Sequence, residues 1–258
     1  MGKFDGILIC SDWDGTLFDG EKVPDEAIEA IRYFQNNGGK FTLCSGRPPF
    51  YMKDLSSIVK PNTYALALNG SIICDLDNNY TLCETFADKD AYLLAAKLLS
   101  SGIKIRRLGV FAKGISQYLW KTPEEFMAQI DELMLLPTYK ITLTTEIKSD
   151  GERLIDFADK TEKGRYSVHR SAEDYAEIIL TEASKGQAAL RLKEITGSKL
   201  LVCMGDYEND ISMFERADVS YAPENAIPKI KALATHLTVS VSDAAVAKVI
   251  ADIEKRYI

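Results

Sequence analysis

No stretch of the 258 residues approaches the run of about 20 apolar side chains that would span a bilayer. The amino terminus passes from Met1-Gly2-Lys3 into a strand pattern without the apolar run of a signal peptide. Basic runs, proline-rich tracts and short repeats are also missing, and 38 acidic residues against 31 basic ones leave a net charge of −7. That balance gives no electrostatic footprint for nucleic acid or an anionic membrane. The five cysteines (Cys10, Cys44, Cys74, Cys83, Cys203) are odd in number and form no CxxC pair. They fit reduced, mostly buried thiols in a cytoplasmic protein. What remains is a 46% hydrophobic composition, enough for a globular protein with a substantial core in one large domain or two smaller ones.

The stretch Phe4–Asp19, FDGILICSDWDGTLFD, organises the rest. Ile7-Leu8-Ile9-Cys10 reads as a strand buried on both faces of a parallel sheet. It ends in two carboxylates, Asp12 and Asp14, at the end of the strand where open α/β sheets bind ligands. Gly15 permits a sharp turn, and the Thr16 hydroxyl can bond the freed backbone. Two acids this close raise at least one pKa, so one can serve as an ionised nucleophile while the other carries a proton. A hard divalent cation such as Mg²⁺ would relieve their repulsion. The same residues also suit a plain surface turn.

The pattern then alternates helices and strands. Pro24–Asn37 carries an apolar stripe of Ala27, Ile31 and Phe34 and stops at Gly38-Gly39. Lys40–Cys44 is a second strand ending in Ser45-Gly46-Arg47, where a hydroxyl and an amide can hold a phosphate oxygen. A short helix near Tyr51–Val59 leads to a third strand, Tyr64–Leu68, expected in the same parallel sheet, and then to a hairpin over Ile72–Leu82. From Glu84 to Glu182 the texture changes to an α+β segment without an acidic pair ending a buried strand. It contains helix Asp90–Ser100, strand-like Lys104–Ala112 and Ile115–Lys121, and a helix opening at Thr122-Pro123-Glu124. Strand Tyr139–Ile147 sets Ile141, Leu143 and Thr145 against Thr142 and Thr144, and strands Tyr166–Arg170 and Tyr175–Thr181 follow. The segment reads as an inserted lid or specificity domain. Arg106, Arg107, Lys113, Trp120, Lys121, Arg165 and His169 could reach a substrate from it, although each also fits an ordinary surface or core position.

The α/β pattern resumes at Ser184. A capping box with Gln187 makes Lys185 the first residue of a helix, where a cation opposes the helix dipole unless an anion or carboxylate cluster lies beside it. Leu200–Met204 is another buried strand, ending in Gly205-Asp206-Tyr207-Glu208-Asn209-Asp210. Asp206 and Asp210 offer oxygen ligands for Mg²⁺, and the Asn209 amide can donate to a phosphate.

In order, Asp12-Trp13-Asp14-Gly15-Thr16, Ser45-Gly46-Arg47, Lys185 and Gly205–Asp210 resemble the four motifs of the haloacid dehalogenase-like superfamily. The insertion between Ser45 and Lys185 resembles that of its Cof-type phosphatases, with a C2-type (IIB) cap. The resemblance covers essentially the whole chain. It implies a Rossmann-like doubly wound parallel-sheet core (1–83 and 183–258) and an inserted, mobile α+β cap (84–182) that sets specificity. It also implies a Mg²⁺-dependent phosphatase of a small phosphorylated metabolite; no obligate protein partner is inferred from the sequence.

By the resemblance, Asp12 is the nucleophile and Asp14 the acid and base. Mg²⁺ is held by Asp12, the Asp14 carbonyl and Asp206, with Asp210 in support. Trp13, Thr16, Ser45, Gly46, Arg47, Lys185 and Asn209 are the expected phosphate-binding set. The second acid, absent from the founding dehalogenases, points to phosphoryl chemistry. A phosphomannomutase-like phosphotransferase and a non-catalytic phospho-ligand-binding protein are the other readings. Two positions depart from the Cof pattern: Pro223 stands where Met is usual, and Ala244-Ala245 where Asp-Gly is common.

Overall fold

The computed structural model describes residues 2–114, 119–161 and 164–258. The chain begins with β1 (Ile7–Ser11), α1 (Asp25–Asn36), β2 (Lys40–Leu43), α2 (Pro49–Ser56), β3 (Ala65–Ala67), β4 (Ile72–Asp75) and β5 (Tyr80–Glu84). The insertion follows, with α3 (Lys89–Leu99), β6 (Ile105–Ala112), β7 (Leu119–Lys121), α4 (Pro123–Ala128), α5 (Ile130–Leu133), β8 (Thr138–Thr145), α6 (Asp150–Thr161), β9 (Tyr166–Ala172) and β10 (Tyr175–Leu180). The chain closes with α7 (Lys185–Thr196), β11 (Leu200–Met204), α8 (Ile211–Arg216), β12 (Val219–Ala222), α9 (Pro228–Leu233), β13 (His236–Leu237) and α10 (Ala245–Tyr257). It divides into two compact units, residues 1–83 with 185–258 and residues 84–184.

The first unit is built on a parallel sheet in the order β13-β12-β11-β1-β2. Every residue of β1 is buried, as befits a central strand covered on both faces. Leu8 and Cys10 join Leu201 and Cys203 in a cluster with Ala188, Ala189 and Leu192 of α7 and Met213 and Phe214 of α8. By strand alternation Ile7 and Ile9 face the other side. Helices α1 and α10 pack on each other, and Ala27, Ile31 and Phe34 form the buried stripe of α1. Cys10 pairs with Cys203 across β1 and β11, and Cys44 belongs to the same cluster. Burial pushes all three thiols up, which keeps them neutral.

One expectation is corrected here. The third strand does not extend the parallel sheet: β3 pairs antiparallel with β4 in a separate three-stranded sheet, β3-β4-β5. It lies beside β2 through the parallel bridge Cys44–Leu66 and the Ser45 amide, which donates to the Leu66 carbonyl. The cause lies in its end, where Leu68 and Asn69 take left-handed φ of 49° and 57° and reverse the chain at once into β4. A run of Ala-Leu-Ala reports burial but not the direction of its partner.

The second unit is an antiparallel sheet in the order β7-β6-β8-β10-β9. Its apolar face carries Leu108, Val110, Ile141, Leu143, Ala176 and Ile178, packed with Ala91, Leu94, Ala95 and Leu98 of α3, Phe126 of α4 and Leu154 and Ala158 of α6. α3 opens with Asp88 as its cap, the side chain accepting from the Asp90 amide, and α4 opens with a capping box between Thr122 and Glu125. The strand expected over Ile115–Lys121 begins at Leu119; residues 115–118 lie outside the described residues, as does the Trp120 side chain.

Candidate active site

The carboxyl ends of the two central strands supply the site. Asp12 follows β1 directly, and its amide donates to the Met204 carbonyl at the end of β11 (3.0 Å), which locks the two strand ends together. The chain then turns through Trp13, whose carbonyl accepts from the amides of Thr16, Leu17 and Phe18. Trp13 is buried and stacked on Phe18, with ring centroids 6.0 Å apart. Gly15 holds φ +78°, and a Cβ there would stand 2.4 Å from Asp206 Oδ2, so only glycine allows the two loops to approach. Thr16 Oγ1 donates to Asp206 Oδ1 at 2.8 Å, a use of this hydroxyl different from the backbone bond expected of it.

Lys185 is fully buried at the first position of α7. Its Nζ donates to Asp12 Oδ1 (2.6 Å) and Asp210 Oδ1 (2.7 Å), which supplies the anionic neighbours that a cation at a helix start needs. Asp210 Oδ2 accepts from the amides of Asp206 (2.9 Å) and Tyr207 (3.1 Å), fixing the loop after β11. Ligand oxygens of Asp12, Asp206 and Asp210 lie within 4.8 Å of one another. Of these three carboxylates, Asp12 and Asp210 thus share the Lys185 ammonium. Burial and the neighbouring Asp210 and Asp206 charges push the Asp12 carboxyl well above the usual carboxylate range, against the pull of Lys185. Burial, with Asp210 beside it, brings Asp206 up to about 7. Burial alone would lower the Lys185 ammonium, but Asp12 and Asp210 outweigh it and hold it charged. An all-oxygen donor set with surplus negative charge fits a hard divalent cation.

The remaining expected residues lie on adjoining loops. Ser45 is buried after β2; its amide donates to the Leu66 carbonyl, and its Oγ accepts from the Arg47 amide at 3.2 Å. The Leu68 and Asn69 amides donate to the Arg47 and Ser45 carbonyls, so the reversal after β3 braces the Ser45-Gly46-Arg47 loop. Asn209 is half-buried on the loop that carries Asp206 and Asp210. Asp14 is the exception: its side chain is 54% exposed and paired with Arg47 rather than gathered with the other acids. Two further residues position these loops. Asn225 Nδ2 donates to the Gly15 carbonyl (2.7 Å) while its Oδ1 accepts from the Val241 amide (3.0 Å), and the Ile227 amide donates to the Asp206 carbonyl. Pairing of a loop Asn with a backbone carbonyl over 200 residues away has no periodicity to read.

Of the cap residues proposed from sequence, Arg165 pairs with Asp88 and Asp90, and Lys113 with Glu84. His169 sits on the polar face of the cap sheet.

A parallel α/β sheet with acids at the carboxyl ends of its central strands, interrupted by an antiparallel insertion, defines a capped hydrolase core. The chain matches the haloacid dehalogenase-like hydrolases over residues 9–250 and belongs to that family; it is of the phosphatase branch, a phosphomonoester hydrolase with a Cof-type cap. It is similar to YxeH of Bacillus subtilis, 29% identical over 265 residues, covering 94% of this chain and 96% of that protein. It is also similar to phosphoglycolate phosphatase 2 of Saccharolobus solfataricus, 27% identical over 239 residues and covering 90% and 85% of the two chains. A solved haloacid dehalogenase-like hydrolase of Bacillus subtilis shares the fold, with a TM-score of 0.77 at 23% identity over 97% of this chain and 99% of that one.

Proposed function

We propose that the chain is a Mg²⁺-dependent phosphatase that hydrolyses a small phosphorylated metabolite, a sugar phosphate or a phosphorylated cofactor, through an aspartyl-phosphate on Asp12. The observation that carries this reading is the Asp12 carboxylate, buried at the end of β1 and held by Lys185 beside Asp206 and Asp210. An Asp oxygen fixed this way is aimed, shielded from bulk water and unable to rotate.

In the first half-reaction an Asp12 oxygen attacks phosphorus, the P–O bond to the leaving group breaks, and Asp14 gives its proton to the departing alkoxide. In the second, Asp14 takes a proton from water as the water oxygen attacks phosphorus, and inorganic phosphate leaves a free Asp12 carboxylate. Lys185, Ser45, the Gly46 and Trp13 amides and Asn209 would surround the phosphoryl oxygens. Phosphate-monoester hydrolysis calls for transition-state stabilisation on the order of 20 kcal/mol, which positioning and electrostatics supply jointly. Mg²⁺, held by Asp12, the Asp14 carbonyl and Asp206 with Asp210 in support, would neutralise the phosphoryl charge. Thr16, bonded to Asp206, would orient that ligand. A phosphoglycolate phosphatase among the relatives supports a substrate of metabolite size.

The test is phosphate release from sugar phosphates, nucleotides and phosphorylated cofactors with Mg²⁺, with EDTA, and with Asp12→Asn. Metal-dependent release that the substitution abolishes is the expected result. An isomerised rather than hydrolysed product would contradict hydrolysis and assign a phosphotransferase.

A further inference from the structure

Within the first unit, away from the catalytic loops, α1, the segment at and beyond the end of α2 (Ser56–Lys60) and the turn at Leu76-Asp77 wall a groove of about 630 Å³. A second hollow of about 340 Å³ beside it is bordered by Asn62. Asn62 Oδ1 accepts from the Phe41 amide (2.8 Å) and its Nδ2 donates to the Gly39 carbonyl (2.9 Å), which sets the groove at the start of β2, the opposite end of that strand from Ser45. Small-molecule sites have volumes of roughly 300–1,000 Å³. The walls are pinned to one another. Gln35 Nε2 donates to the Lys60 carbonyl (2.8 Å), Lys53 Nζ donates to Asn79 Oδ1 (3.1 Å), and Lys60 Nζ lies 2.9 Å from Asp77 Oδ2.

The lining is apolar and basic together. Ile28, Ile31, Ile58, Val59 and Leu76 supply the apolar part, and Ile58 is 44% exposed. Arg32, Lys53 and Lys60 line the same groove against the single carboxylate of Asp77. Asp77 neutralises Lys60, whereas Arg32 and Lys53 pair with no carboxylate among the described residues. Asp75, in the second hollow, turns its oxygens to the Asp77 and Asn78 amides and the Asn78 side chain. On a chain of net charge −7, two unneutralised cations beside an open apolar wall reverse the sign of the surface locally.

We propose that this groove binds a small organic anion, its apolar body against the isoleucines and Leu76 and its one carboxylate, phosphate or sulfonate held by Arg32 and Lys53. A guanidinium receives such a group by two parallel hydrogen bonds, and an ammonium adds a point charge. Because the walls are already tied together, little ordering opposes binding. A nucleic acid would need a broad basic stripe, which this acidic chain lacks, and a groove of this size admits one small molecule.

The experiment titrates naphthalenesulfonate, an apolar body with one acidic group, into the full chain and follows backbone amides by NMR. Saturable shifts are expected at Ile31, Gln35, Val59 and Asp77, with Asp12 and Gly46 unmoved. Arg32→Gln and Lys53→Gln, both at exposed positions, should each raise Kd about tenfold at unchanged melting temperature, and naphthalenemethanol, the neutral counterpart, should bind the unmodified chain more weakly by a similar factor. The absence of saturable shifts, shifts centred on Asp12 and Gly46, or equal affinity for the charged and neutral probes would overturn the proposal. A dimer in solution whose dissociation moves the same groove amides would also overturn it and assign the groove to a contact between copies.

Discussion

Arg47 holds Asp14 by two parallel hydrogen bonds, Nε to Oδ2 at 3.0 Å and an Nη to Oδ1 at 2.8 Å. The pair joins the loop after β2 to the loop after β1, and the Arg47 carbonyl is itself anchored by the Leu68 amide. An exposed pair of this kind adds little to stability, but its fork geometry fixes where the Asp14 carboxylate stands. Arg47→Lys keeps the charge and loses the fork. It should reduce kcat for alkyl phosphates, which need a proton donor, by roughly 10-fold or more, and reduce it far less for p-nitrophenyl phosphate. Steady-state kinetics on the two leaving groups checks this, and Arg47→Lys placed on Asp14→Asn should add nothing to the alkyl-specific loss.

Lys185 bonds both Asp12 and Asp210, the one ammonium to do so among the described residues. Replacing it with Met leaves two buried carboxylates without their partner, a loss of about 3–5 kcal/mol. Urea unfolding in EDTA should show that loss, and Mg²⁺ should restore part of it by returning positive charge to the cluster.

Ala244 occupies the left-handed region at φ +57° and ψ +54°, buried just before α10. A non-glycine residue there costs about 1–2 kcal/mol, and glycine gives back roughly 0.5–1 kcal/mol in chain entropy. Ala244→Gly should therefore raise stability by up to about 1 kcal/mol, seen as a higher melting temperature.

Much of this arrangement was legible in the sequence because it is local. Apolar runs ending in Asp12, Ser45 and Asp206 mark strand ends, and Lys185 opposing its own helix dipole announces buried acids nearby. Less legible was anything set by pairing. The direction of β3, the Asp14–Arg47 fork and the Asn225 brace depend on which distant segments meet, and no residue pattern encodes that. The alternation of β8 lay between these cases: its two faces could be read, but Thr142 and Thr144 became unusual only when the opposite strands brought Glu177 and His169 beside them without satisfying the hydroxyls.

Acid should loosen the cap in a defined window. Burial would raise the Glu177 carboxyl, but the Lys140 and His169 side chains outweigh it and hold it at about 2, below an ordinary value of 4.5. A depressed folded pKa contributes stability that is complete above about 4.5 and is lost as pH falls toward 2. Urea unfolding across that window should show the decline, and Glu177→Gln, less stable at neutral pH, should flatten it.

The covalent step on Asp12 can be tested directly. A single turnover quenched in acid, reduced with borohydride and mapped by peptide mass spectrometry converts an aspartyl-phosphate to homoserine. Homoserine at position 12, and none in Asp12→Asn, is the expected result; phosphate released in full with Asp12 unaltered, or the label at Asp14, would contradict an aspartyl-phosphate on Asp12.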